Sequence, residues 1–290
     1  MNHTIENTHL KVTVAELGAE LQSVQNRDGM EFLWQGVAPY WEQRAINLFP
    51  YVGRLTEGAY RMDGSLYKLP IHGFAPLVDF ALTEKGEDYM VFTLTDNEEL
   101  YAQYPRHFVF RVCYRLESNK ICVSFEVENR DDKVMYFGLG GHPGFRVPLE
   151  EGDSFTDYRL PFAPCKPKRV DFTDKCFITG TESDFPLVDD QFLPLSHDLF
   201  DDDAIVLTNM SREVTLEKVG GRHSVKVEFP QMPYVGFWHT TKSDAPFVCI
   251  EPWCSLPSKQ DEIAELEKQK DLLSLAPGAT YQNNWSITIE

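Results

Sequence analysis

The chain has 290 residues, 42% of them hydrophobic, enough to bury one large β core or two ordinary ones. Its 45 acidic residues against 27 basic give a formal charge of -18, which repels polyanions over most of the surface and argues against nucleic acid or an anionic membrane as partner. Six cysteines show neither a CxxC pair nor zinc-ribbon spacing, no eighteen apolar residues run together, and "MNHTIENTHLKV" has no basic stretch leading into an apolar one, so the chain reads as a reduced, cytoplasmic protein.

Alternation of apolar and polar residues with period two begins at "HLKVTV" and marks a half-buried strand. In "AYRMDGSLYKL", Asp63-Gly64 separates two such segments and predicts a two-residue hairpin turn. "DYMVFTLTD" alternates again, and "HFVFRVCYRLE" and "KICVSFEVEN" form two long strands about Ser118-Asn119. The stretch "GLGGHPGFRVP", residues 138–148, follows with His142 among glycines and a proline. The glycines admit a sharp bend or a close neighbour, and Pro143 biases His142 toward an extended backbone, so the histidine is expected at a strand end on the rim of a sheet. "REVTLEKVGGRHSVKVEF" predicts a further two-residue turn at Gly220-Gly221. Only "SLPSKQDEIAELEKQKDLLSL" departs from this pattern: Ser258 as cap, early acids, Lys268 and Lys270 late, and Ile263, Leu266 and Leu273 at helical spacing predict a short surface helix ended by "APG". No linker or low-complexity tract divides the chain. The expectation is an all-β protein, a large antiparallel β-sandwich with a few short helices, in a single domain spanning 1–290.

Four stretches combine a polar side chain with a glycine- or proline-marked backbone: "NLFPYVGRL" with Arg54, "LPIHGFA" with His72, "GGHPGF" with His142 and "VCIEPWC" with Glu251. Glu251 ends an apolar strand, where a carboxylate is costly unless its pKa rises or a cation pairs with it; either suits a general base. Arg54 is that cation, or else a fork of donors for ligand oxygens. Each has a plainer reading. A lone histidine at a strand end is more often structural, Arg54 alone is more often an ion-pair partner, and the acids of "DDDAIVL" are more often a solvated loop. Trp238 in "PYVGFWHT" fits a sugar-stacking ring and a core residue equally. The joint occurrence of the four stretches favours a site.

"PYWEQRAINLFPYVGRL", "IHGFA", "GGHPGFRVP", "EPWCSLP" and "LLSLAPGATYQNNWSI" together resemble the aldose 1-epimerase (galactose mutarotase) family, from about residue 8 onward. The likeness is strongest to its smaller branch, found beside bacterial lactose and tagatose-pathway genes. It implies a galactose mutarotase-like supersandwich and the interconversion of α and β anomers of an aldose. By the resemblance Glu251 is the base, His142 the acid, His72 and Arg54 hold the substrate, and Asp203 binds sugar hydroxyls. No cofactor is implied, and the partner is a small-molecule sugar. Phe74 and Ala75 after His72-Gly73, Gly144 and Phe145 after His142-Pro143, and Trp253 after Glu251-Pro252 depart from the better-known mutarotases, which bears on the substrate. The rivals are a sugar-binding module, a sugar-phosphate epimerase using Arg54 with Arg44 or Lys242, a glycosidase using Glu251 and Asp203, and a metal triad of His72, His142 and Glu251. No HxH or HExxH spacing supports the last, and no metal is expected.

Overall fold

The structure is a computed structural model describing Met1 to Glu290. Two large antiparallel sheets form its layers. The back sheet has nine strands in the order Phe192–Pro194, Tyr158–Pro161, Glu213–Lys218, Ser224–Glu228, Thr280–Ile289, Lys120–Asn129, Phe108–Glu117, Tyr89–Thr95 and Ala81–Lys85. The front sheet has seven, Ile178–Asp184, Lys168–Phe172, Ile205–Thr208, Tyr234–Trp238, Phe247–Trp253, Gly140–Arg146 and Ala45–Leu48. Helix is confined to Glu98–Gln103 and five single 3-10 turns.

Alternation explains the layering. In Lys120–Asn129 every second side chain is buried, and Ile121, Val123, Phe125 and Val127 join Val235, Phe237, Val248 and Ile250 of the front sheet in one cluster of 67 buried residues. The expected sandwich is therefore present. Strand Phe247–Trp253 is buried along its whole length. Val248 and Ile250 face the core between the sheets, while Cys249, Glu251 and Trp253 face the other way, where Ile46, Leu48, Val206 and Trp253 form a smaller apolar floor.

Two turns match their sequences. Asp63 and Gly64 (φ 50° and 75°) join Met62 to Ser65, and Ser118-Asn119 joins Glu117 to Lys120. The Gly220-Gly221 turn is wider than expected, with strands ending at Lys218 and resuming at Ser224. Two expectations fail. Residues 258–275 form no α-helix: Ala264–Glu265 pairs in parallel with Tyr60–Arg61, and Leu273–Leu275 pairs with Met135–Phe137. Ser258 is buried, and its Oγ accepts the amide of Thr56 (3.0 Å) instead of capping a helix; Asp261, at φ 59°, breaks the right-handed run. Tertiary pairing has overridden a local preference. His142, expected at a strand end, lies inside strand Gly140–Arg146. All six cysteines are free, and no helix is long and apolar enough to cross a membrane.

Candidate active site

Strand register brings the first two site residues together. Strand 140–146 pairs Gly140 with Trp253 and Gly144 with Cys249, which sets His142 opposite Glu251 on the outer face of the front sheet. Their side chains meet at 3.1 Å, Nε2 to Oε2, with 8% and 1% of their surface exposed. On the other flank of Glu251 the paired residue is Gly236, where a Cβ would stand 3.3 Å from the Trp253 indole ring. The glycines beside His142 serve close approach: a Cβ on Gly141 would stand 2.6 Å from the Trp285 indole, and one on Gly144 3.1 Å from Trp41. Trp41 in turn lies over the imidazole, ring centroids 4.9 Å apart, and Trp238 presents its edge at 5.8 Å.

These side chains wall a cavity of about 390 Å³, which His72, Arg54 and Asp203 complete. His72 occupies a left-handed conformation (φ 66°), and its Nδ1 accepts the Gly53 amide (3.2 Å), so the neutral ring carries its proton on Nε2. The adjoining Gly73, at φ 75°, has no space for a side chain, since a Cβ would stand 2.2 Å from the carbonyl oxygen of Phe49. Arg54 Nη2 approaches Asp203 Oδ2 at 3.8 Å. Asp203 is itself left-handed (φ 77°), and its carboxylate accepts the Ala204 amide and the Cys176 thiol.

Burial sets the electrostatics. It pushes the Glu251 carboxyl well above the usual carboxylate range, with the Asp203 charge adding to the rise and the Trp253 indole opposing it. Burial also holds His142 well below the usual imidazole range, as does the neighbouring His72. His72 is lowered to about 4 by its enclosure and by Arg54, against the pull of Asp203. The enclosed pair thus favours a net-neutral state with its single proton on Glu251; moving that proton to His142 creates an ion pair. Neither His142 Nδ1 nor Glu251 Oε2 has an aligned hydrogen bond within the protein. Unsatisfied buried polar atoms facing one cavity are what an incoming polar ligand would engage.

All six residues singled out from the sequence, Arg54, His72, His142, Asp203, Trp238 and Glu251, line this one cavity. Asp202 lines it too, whereas Asp201 does not. Arg44 and Lys242 stand outside it, Arg44 donating to the side chain and backbone of Gln22. Ligand atoms close enough to share a metal belong to His142, Cys249 and Glu251 rather than to a trio containing His72. Sequence reasoning missed Trp41, Gln43 and Cys176. Trp41 had a signal, a large aromatic in the polar, non-alternating "PYWEQR". Cys176 had none, because its place depends on a tight turn at the far end of the front sheet.

Among known proteins, residues 1–288 match the family model for aldose 1-epimerase. The chain is similar to the plasmid protein LacX of Lactococcus lactis subsp. lactis, 32% identical over 306 residues that span 100% of this chain and 99% of that one. It is similar in structure to a galactose mutarotase related enzyme from Lactobacillus acidophilus, at 35% identity, a TM-score of 0.95, and coverage of 100% and 97% of the two chains. A galactose mutarotase-like protein from Lactobacillus casei gives 32% identity and a TM-score of 0.95 over 100% of both chains.

Proposed function

The chain belongs to the aldose 1-epimerase family, and from that premise we propose that it interconverts the α and β anomers of a free aldose by opening and closing the ring, without a cofactor. Glu251 takes the proton of the anomeric hydroxyl while His142 gives one to the ring oxygen. The bond between C1 and the ring oxygen breaks as a carbonyl forms at C1. Rotation about C1–C2 presents the other carbonyl face, the freed hydroxyl re-adds, and each group recovers its starting state. Atoms and protons balance over the cycle.

The observation that carries this reading is the buried opposition of His142 and Glu251 at 3.1 Å on a cavity wall. Reaction requires the proton on His142 and the charge on Glu251; a sugar hydroxyl donating to the carboxylate favours that form over the one burial prefers. In this reading His72 Nε2, Arg54 and Asp203, all on the cavity wall, hold hydroxyls, and Trp41 and Trp238 offer aromatic surface to the apolar face of the ring. Apart from its histidines, Arg54 is the cavity's only basic side chain, and Asp203 stands beside it, which favours an uncharged sugar over a sugar phosphate.

Polarimetry of freshly dissolved α-glucose and α-galactose tests the assignment. Wild-type protein accelerates mutarotation, and Glu251→Gln and His142→Asn each lower kcat by about 10²- to 10⁴-fold while leaving the fold intact. Wild-type turnover in Glu251→Gln would sink the proposal.

A further inference from the structure

One nucleophilic side chain beside the acid-base pair takes no part in the proposed reaction. Cys249 stands two residues before Glu251 on strand Phe247–Trp253, and that spacing turns the thiol and the carboxyl to the same face. Strand pairing sets Cys249 opposite Gly144, two residues past His142, which brings the imidazole beside both. A ring nitrogen of His142, the Cys249 sulfur and a Glu251 oxygen all lie within 4.8 Å of one another, and all three side chains are buried. Trp34, Ala245 and Phe247 pack around the thiol, with Trp41 and Trp238 against that apolar cluster. His142 and Glu251 line the cavity and Cys249 does not, so the thiol forms the inner end of the trio and the cavity is its open side.

We infer that His142, Cys249 and Glu251 form a binding site for a thiophilic divalent cation of the zinc class, and that an ion held there shuts the reaction off. A thiolate, an imidazole and a carboxylate are zinc's ligand types, whereas magnesium and calcium take oxygen ligands. Three protein ligands leave the fourth tetrahedral position facing the cavity, for water or a sugar hydroxyl. Bonds of about 2.0–2.3 Å separate tetrahedral ligand atoms by about 3.3–3.5 Å. His142 Nε2 and Glu251 Oε2 already stand at 3.1 Å, and the sulfur has to close in by at most about 1.3 Å, within the reach of side-chain torsions. Binding releases to solvent the thiol proton and the proton shared by the acid-base pair. The ion then occupies the lone pairs with which the base accepts a proton and the acid carries one. Binding depends only on the geometry of the trio; the loss of turnover rests on the anomerase reading above.

Cobalt(II), a spectroscopically visible substitute for zinc, tests binding by itself. Added to the reduced wild-type protein, it gives a thiolate-to-cobalt charge-transfer band and the intense visible absorption of a four-coordinate ion, and zinc displaces it. Cys249→Ala and Cys249→Ser, shown by circular dichroism to be folded, lose the charge-transfer band. Glu251→Gln and His142→Asn each weaken cobalt binding by at least about 100-fold, since even the outer-shell partners of a metal are worth about 10- to 100-fold in affinity. No band in the wild type, or a band that survives in both Cys249 variants and so arises from another thiol, would overturn the site. Polarimetry with and without zinc supplies the other arm, each protein referenced to its own metal-free rate. Zinc at the concentration that displaces cobalt abolishes most wild-type mutarotation, a chelator restores it, and Cys249→Ser needs about 100-fold more zinc for the same loss. Equal zinc sensitivity of the two proteins, or mutarotation that zinc leaves untouched despite the band, would overturn the shut-off. No mutarotation even without metal, with the cobalt band intact, rejects the anomerase reading and leaves the metal site standing.

Discussion

Glu251 is destabilising where it sits, since its carboxyl is buried and keeps its proton to a higher pH than an unfolded chain would. The sign follows. Below about pH 4.3 both states are protonated and the penalty is absent; above it the unfolded state releases the proton and the native state resists, so stability falls with rising pH until the folded carboxyl also ionises. Glu251→Gln removes that slope. At pH 7 the variant melts higher than wild type, by about 2–4 °C for each 1 kcal/mol relieved, and the gap closes toward pH 4. Thermal scans across that range check it, and equal melting temperatures at pH 7 would show that the carboxyl is not held neutral. The same residue thus costs stability and is proposed to carry the chemistry.

The front sheet's register does at element scale what no single residue does, setting His142 opposite Glu251. That alignment depends on the bare backbone of the strand. Gly141→Ala pushes a methyl group into the Trp285 indole, a clash of the overpacking kind that costs about 1–3 kcal/mol. The expected result is a lower melting temperature together with lower kcat, because the displaced strand carries His142; an unchanged pair of values would refute the packing argument. Much at this scale was legible in the chain. Period-two alternation revealed the strands, Asp63-Gly64 and Ser118-Asn119 their turns, and the cost of a carboxylate in an apolar run pointed to Glu251. Three things were not legible. The segment after Ser258 has helical spacing locally, yet its backbone is used by distant strands at Tyr60 and Met135. The place of His142 within its strand depended on partners on both sides, Ile46 and Glu251. Trp41 and Cys176 belong to the cavity through loops, whose contacts leave no period to detect.

On the whole molecule the charge of -18 is the dominant long-range term. Self-repulsion opposes compactness, and at 0.15 M salt the screening length is about 8 Å, so sodium chloride added from low ionic strength is expected to raise the melting temperature and then level off. Calorimetry over a salt series decides it. A fall instead would mean that surface ion pairs such as Arg159–Glu217 and Arg111–Glu126 outweigh the repulsion. The strands bearing His142 and Glu251 are neighbours in space but far apart along the chain, separated by the hairpins that build much of both sheets. The proposed sugar anomerisation is therefore also a stopwatch for assembly. During refolding it stays silent while hairpins form one by one, and it starts when residues 140–146 and 247–253 finally lie side by side.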